Sequence, residues 1–166
     1  MHTLLTELAT LLRQEIDRYR HLLTLVRRER RQIVQGELAG LVGVVQKKEV
    51  VTRELEQVEA ARVSVLKRIA GESGREEESL TLARVVEIAP REIKSTLADL
   101  LAEFRGVVGL LIAANDVNRE LLDKSLEFVH GSLDLFHTVG ANPPTYGAGG
   151  RVSEARRSLA VLNQTV

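Results

Sequence analysis

Apolar residues recur at spacings of three and four along most of the chain, the mark of helices with one buried side. The clearest run lies between Pro90 and Gly140. Ile93, Leu97, Leu100, Phe104, Val108 and Leu111 open it, and Leu122, Leu126, Val129, Leu133 and Phe136 carry it on. Between the two blocks the stripe holds Asn115 and Asn118, where apolar residues are due. The pattern predicts a helix over about 90–139. Pro90 suits its first turn, Glu92 suits its positive end, and Gly140 with Pro143-Pro144 stops it. About fifty residues at a rise of about 1.5 Å make a rod of roughly 75 Å. Such a rod needs partner helices along its apolar face.

Two earlier segments supply candidates. Residues 3–35 read as a helix with Thr3 as N-cap and a stripe of Leu5, Leu8, Leu12, Ile16, Tyr19, Leu22 or Leu23, Val26 and Ile33. Glu15 lies beside that stripe. Gly36 breaks the pattern, and a second helix is predicted over 38–70, with Leu38, Leu41, Val45, Val51, Leu55, Val58, Val65 or Leu66, and Ile69 inward. Gly71 is its expected stop. So short a connection between helices of similar length predicts an antiparallel hairpin. Gly40 and Gly43 weaken the first turns of the second helix, or admit a close backbone approach. A polar loop follows, then a short helical piece over 80–88 with Ser79 as its cap.

The predicted architecture is therefore all-α: a long antiparallel helical hairpin, a longer third main helix in an elongated bundle, and a flexible C-terminal tail. The bundle would occupy residues 1–140 and the tail 141–166. Residues 141–151 have linker composition, with Tyr146 a lone aromatic among small residues. Beyond them Val152, Ala155, Leu159 and Leu162 fall on one side of a brief amphipathic segment. At about ten residues it is too short to hold a helix in isolation, so it needs a surface to lie on. The third main helix should outreach a hairpin of roughly 50 Å by about 25 Å. The tail segment would cover the exposed strip in the free protein.

Composition narrows the function classes. Lys plus Arg and Asp plus Glu both number 23, without the basic excess of a nucleic-acid binder. Charge is unevenly shared: residues 1–36 hold seven basic and four acidic groups, residues 90–140 five and eight. The first and the long helix are thus weakly complementary neighbours. The basic run Arg27-Arg28-Glu29-Arg30-Arg31 reads as a solvated helix end. The absence of Cys excludes disulfides, thiolate metal sites and Cys nucleophiles. The first residues lack the basic and apolar regions of a secretion signal. The longest run free of polar side chains, Gly106 to Ala114, is too short to span a bilayer.

Little proposes chemistry. His130 and His137 share a face two turns apart, wider than the usual i, i+3 or i, i+4 metal spacing. Gly106 and Gly109 lie inside a helix and read as close helix packing rather than a phosphate loop. No nucleophile with a base is apparent, and neither a metal nor a cofactor is expected. Asn115 and Asn118 read as a polar seam that sets helix register, with Glu15, Arg62 or each other as partners. The general expectation is a non-enzymatic helix-binding protein. The alternative is a helical-bundle adaptor or assembly factor whose stripe is buried in a homodimer.

Several motifs occur together in order. They are Glu15-x-x-x-Tyr19-x-x-Leu22-Leu23-x-Leu25, then Ile33-x-x-Gly36-Glu37-Leu38-x-x-Leu41 with Lys47-Lys48. Leu111-x-x-x-Asn115-x-x-Asn118-x-x-Leu121-Leu122 with Ser125-Leu126, and Thr145-Tyr146-Gly147-Ala148 with Gly150, complete the set. This arrangement resembles the FlgN-type flagellar export chaperones over nearly the whole chain. The resemblance implies a cytoplasmic, ATP-independent chaperone without enzymatic activity. Its clients would be hook-associated proteins of the FlgK and FlgL type, held through helical C-terminal segments. Delivery would be to the type III export gate, through a component of the FlhA type. By position, the resemblance assigns Leu126, Val129, Leu133 and Phe136 to client contact. Tyr146, Leu159 and Leu162 of the tail would be exchanged between self, client and gate. Nucleic acid and membrane insertion play no part in this reading.

Overall fold

The computed structural model describes residues 1–74 and 81–140. Four helices follow in order: α1 (His2–Gln35), α2 (Leu38–Ser73), α3 (Leu82–Ile88) and α4 (Arg91–Gly140). The chain is all-α over the described residues. It divides into two compact units, Met1–Lys124 and Ser125–Val166.

In the first unit, α1 and α2 pack along each other as a hairpin. Gly36 makes the turn possible. It adopts φ 69°, and its N–H closes onto the α1 carbonyls of Gln32 and Ile33. A side chain at that φ is strained, which explains why glycine ends α1 here. The end of α2 differs from expectation. Gly71 stays helical, and Gly74 takes the left-handed cap at φ 64°. An exposed glycine inside a helix costs only about 1 kcal/mol against alanine, so it does not force a stop. The third helix also starts later than expected. Thr81 is the cap, and its side chain accepts from Arg84 N at 3.3 Å. At the other terminus Thr3 lies inside α1.

Two hydrophobic clusters hold this unit. The larger joins Leu5, Leu8, Leu12 and Ile16 of α1 to Val65 and Ile69 of α2, Val85 of α3, and Ile93, Leu97 and Leu100 of α4. The smaller joins Leu22 and Leu25 to Val44, Val51 and Leu55, with Leu111 against it. Tyr19 and Phe104 meet edge to face at 5.5 Å. Two inward positions expected on α2 are exposed instead, Leu38 and Val45. Counting back seven residues from Val51, two helical turns, lands on Val44, which is the buried one. Val45 is about 100° off that phase. Gly106 and Gly109 also depart from expectation: both are exposed, and nothing lies within 4 Å of a Cβ built on either. The packed residue beside them is Val107.

Three charged or amide side chains are buried in this unit: Glu15, Glu29 and Asn118. All three sit on core stripes, and each has found a partner. Arg62 Nε donates to both oxygens of Glu15, at 2.8 and 2.9 Å. Lys48 Nζ donates to both oxygens of Glu29, at 3.0 and 2.8 Å. Asn118 Nδ2 donates to Glu29 Oε2 and to the Val26 carbonyl, each at 2.9 Å. Lys48, Glu29 and Asn118 thus form a clasp across α2, α1 and α4. Asn115, expected beside Asn118 on the buried seam, is exposed. Three residues back along a helix is a rotation of about 60°, enough to carry it to solvent.

The clasp gives a signed prediction. Asn118→Asp sets a second carboxylate where the amide donated to Glu29. We expect about 2 kcal/mol of destabilisation at neutral pH, relieved on acidification as one carboxyl takes a proton. Asn118→Leu removes the amide Oδ1, which is buried without a hydrogen-bond partner, and should cost less than Asn118→Asp. Urea unfolding of the two variants at two pH values checks the order.

Candidate functional site: an exposed apolar face

The second unit begins at Ser125. Leu126, Val129, Leu133 and Phe136 are spaced by three, four and three, so they share one helical face spanning about 80°. No part of that face is buried: Leu126 is 57% exposed, Leu133 51% and Phe136 73%. Apolar residues scattered singly on a surface need no explanation, whereas these four fall in one row on a single helix face. Ten residues of helix make the row about 15 Å long.

Sequence reading missed two residues. Phe128, 76% exposed, and Leu135 are seven apart and fall on a second face of the same helix, more than about 80° from the first. The signal was present: two large apolar residues in phase with each other but not with the stripe. Glu127 and Asp134 line the remaining side, with His130 and His137 between them and the Leu126 face. Tyr146, Leu159 and Leu162 lie outside the described residues.

Elsewhere the surface offers little for small-molecule chemistry. One open depression of about 260 Å³ is lined by Arg13, Asp17, Arg20 and Glu103. Arg20 there pairs with Glu103 at 2.5 Å and with Asp17 at 3.7 Å. A second, of about 600 Å³, lies along the hairpin beside His21, Lys47, Val50 and Glu54. Neither contains the buried Glu15 or Glu29. Among the described residues no three His, Cys, Asp or Glu side chains group to hold a metal ion. No described helix is long and apolar enough to cross a membrane.

Over the described residues the protein is thus all-helical, with an apolar helix face open to solvent and its buried carboxylates, Glu15 and Glu29, each paired with a cation. The FlgN protein family model matches residues 1–154, and the chain belongs to that family of flagellar export chaperones. No curated protein and no solved structure matches it.

Proposed function

We propose that this protein holds the helical C-terminal segments of hook-associated proteins of the FlgK and FlgL type on the Leu126–Phe136 face. Held there, a client helix is unavailable for premature assembly. The chaperone then delivers it to the export gate, with Tyr146 and the C-terminal segment contacting a gate component of the FlhA type. The observation that carries this reading is the exposure of four in-phase apolar side chains, Leu126, Val129, Leu133 and Phe136. An amphipathic client helix reads such a row through its own i, i+3, i+4 and i+7 anchors. The cycle needs no nucleotide, because client exchange is a competition between helices for one surface. It takes place in the cytoplasm, before export.

Co-purification with candidate clients tests the proposal. Clients with their C-terminal helices should be retained, and the same clients lacking them should be lost. Equal retention of both forms would refute the assignment.

A further inference from the structure

The basic run near the end of α1 has no structural use within the first unit. The helix continues to Gln35, and its last turn holds no basic residue. The helix dipole is felt only within that turn, so it does not account for Arg27, Arg28, Arg30 and Arg31. We propose that this side of α1 adsorbs to an anionic lipid surface, its guanidinium groups meeting headgroup phosphates and no residue entering the bilayer. The reading does not depend on client binding.

Helical phase gathers the cations on one side. Arg13, Arg20, Arg27 and Arg31 fall within an arc of about 40°, and Arg13 to Arg31 spans about 27 Å of helix. Arg28 and Arg30 lie about 60° to either side. All six are exposed. The α1 residues that pair with α2 are Glu7, Glu15, Arg18 and Glu29. They lie at least about 120° around from the arc, which therefore faces away from α2. Arg20 is the committed member, held by Asp17 at 3.7 Å and Glu103 at 2.5 Å. Among the described residues the other five make no ion pair.

The chemistry of the arc selects a plane of phosphates over other anions. All seven basic residues of α1 are Arg, and the five Lys of the chain come after residue 46. A planar guanidinium meets phosphate oxygens in pairs, which an ammonium does not. Among the described residues of α1, Val34 is the only large apolar side chain that is exposed, and it lies beyond the end of the arginines. An acidic partner helix needs an apolar seam to pack on, and the arc has none. Nucleic acid is disfavoured by the zero net charge of the chain and by the lack of an aromatic residue on the arc to stack a base. A sheet of headgroups needs only cations in one plane. Clusters of about four to eight Arg or Lys on a helix recognise anionic lipid in this way.

Co-sedimentation of the full-length protein with vesicles tests the proposal. The protein should pellet with vesicles of equal parts phosphatidylcholine and phosphatidylglycerol. It should stay in solution with phosphatidylcholine alone, and added salt should release it. Combining Arg27→Gln, Arg28→Gln, Arg30→Gln and Arg31→Gln should weaken vesicle binding about 100-fold or more, at roughly fivefold per cation. The melting curve should not move, because all four side chains are exposed. The same charge removed elsewhere, by Arg53→Gln, Arg91→Gln, Arg105→Gln and Arg119→Gln, should leave binding within a few-fold. No pelleting with the anionic vesicles, or an equal loss from the second set, would overturn the proposal. Equally tight binding to duplex DNA or to polyglutamate would also sink it, by making the arc a general anion surface. Release by inorganic phosphate at constant ionic strength would do the same, by making it a site for free phosphate. No client enters this measurement.

Discussion

Arg62→Leu should remove about 3–5 kcal/mol of stability at neutral pH, measured by chemical denaturation, because it strands Glu15 inside the first unit. Glu15 is among the most buried side chains of the protein, and Arg62 meets both of its oxygens. Burial raises the Glu15 pKa above the ordinary value of 4.5, and the Arg62 hydrogen bond and charge oppose that rise. The direction of the pH dependence follows. Folded protein binds the Glu15 proton more tightly than the unfolded chain, so this group's contribution falls as pH rises from 4.5 through the raised folded value. Removing Arg62 removes the opposing influence and extends that window upward. The deficit of Arg62→Leu should therefore shrink as pH is lowered toward 4.5. A deficit that stays constant between neutral pH and pH 4.5 would mean that the loss is packing rather than charge. The double variant Glu15→Leu, Arg62→Leu should recover most of the loss, since an apolar pair of similar volume is often as stable as a buried ion pair.

The second large effect concerns binding. Leu133→Asp with Phe136→Asp should weaken client binding by about 100-fold or more, as truncating a pair of central apolar anchors does in other interfaces. Both side chains are more than half exposed, so the stability of the free protein should change by no more than about 0.5 kcal/mol per site. Calorimetric titration with a client C-terminal segment, alongside a melting curve, separates the two quantities. Phe128→Asp provides the control for the other face. An equal loss there would assign client to both faces and weaken the single-row reading.

Much of this organisation was legible because glycine, proline and helical phase act locally. Gly36 ends α1 whatever surrounds it, since its positive φ suits no other residue as well. Pro90 sits just ahead of α4, with Glu92 in the first turn. The choice between Gly71 and Gly74 was not legible: both are glycines near the end of α2, and it is Gly74 that takes the left-handed φ and closes onto the Ala70 and Gly71 carbonyls. Phase errors had a similar origin. Leu38 and Val45 are apolar, yet Val44 holds the position in line with Val51 and Leu55. Glu15 and Arg62 were visible as polar residues close to the stripes, but their pairing joins positions 47 apart in the chain.

The candidate face shows the same division. Periodicity alone gave Leu126, Val129, Leu133 and Phe136 a common side, because the repeat of an α-helix is a local property. Their exposure was a tertiary fact, since burial depends on which helices lie alongside. The same periodicity placed Leu97 and Leu100 under cover and left Leu133 and Phe136 in solvent. Asn115 and Asn118 divide in the same way: both are amides due on one stripe, and only the approach of Val26 and Glu29 makes one of them a clasp. The sequence by itself determined the helices, their order and the spacing of the apolar rows. The tertiary structure decided which rows are sealed, which are open and which buried charges meet, because each of those outcomes requires residues distant in sequence to share one place.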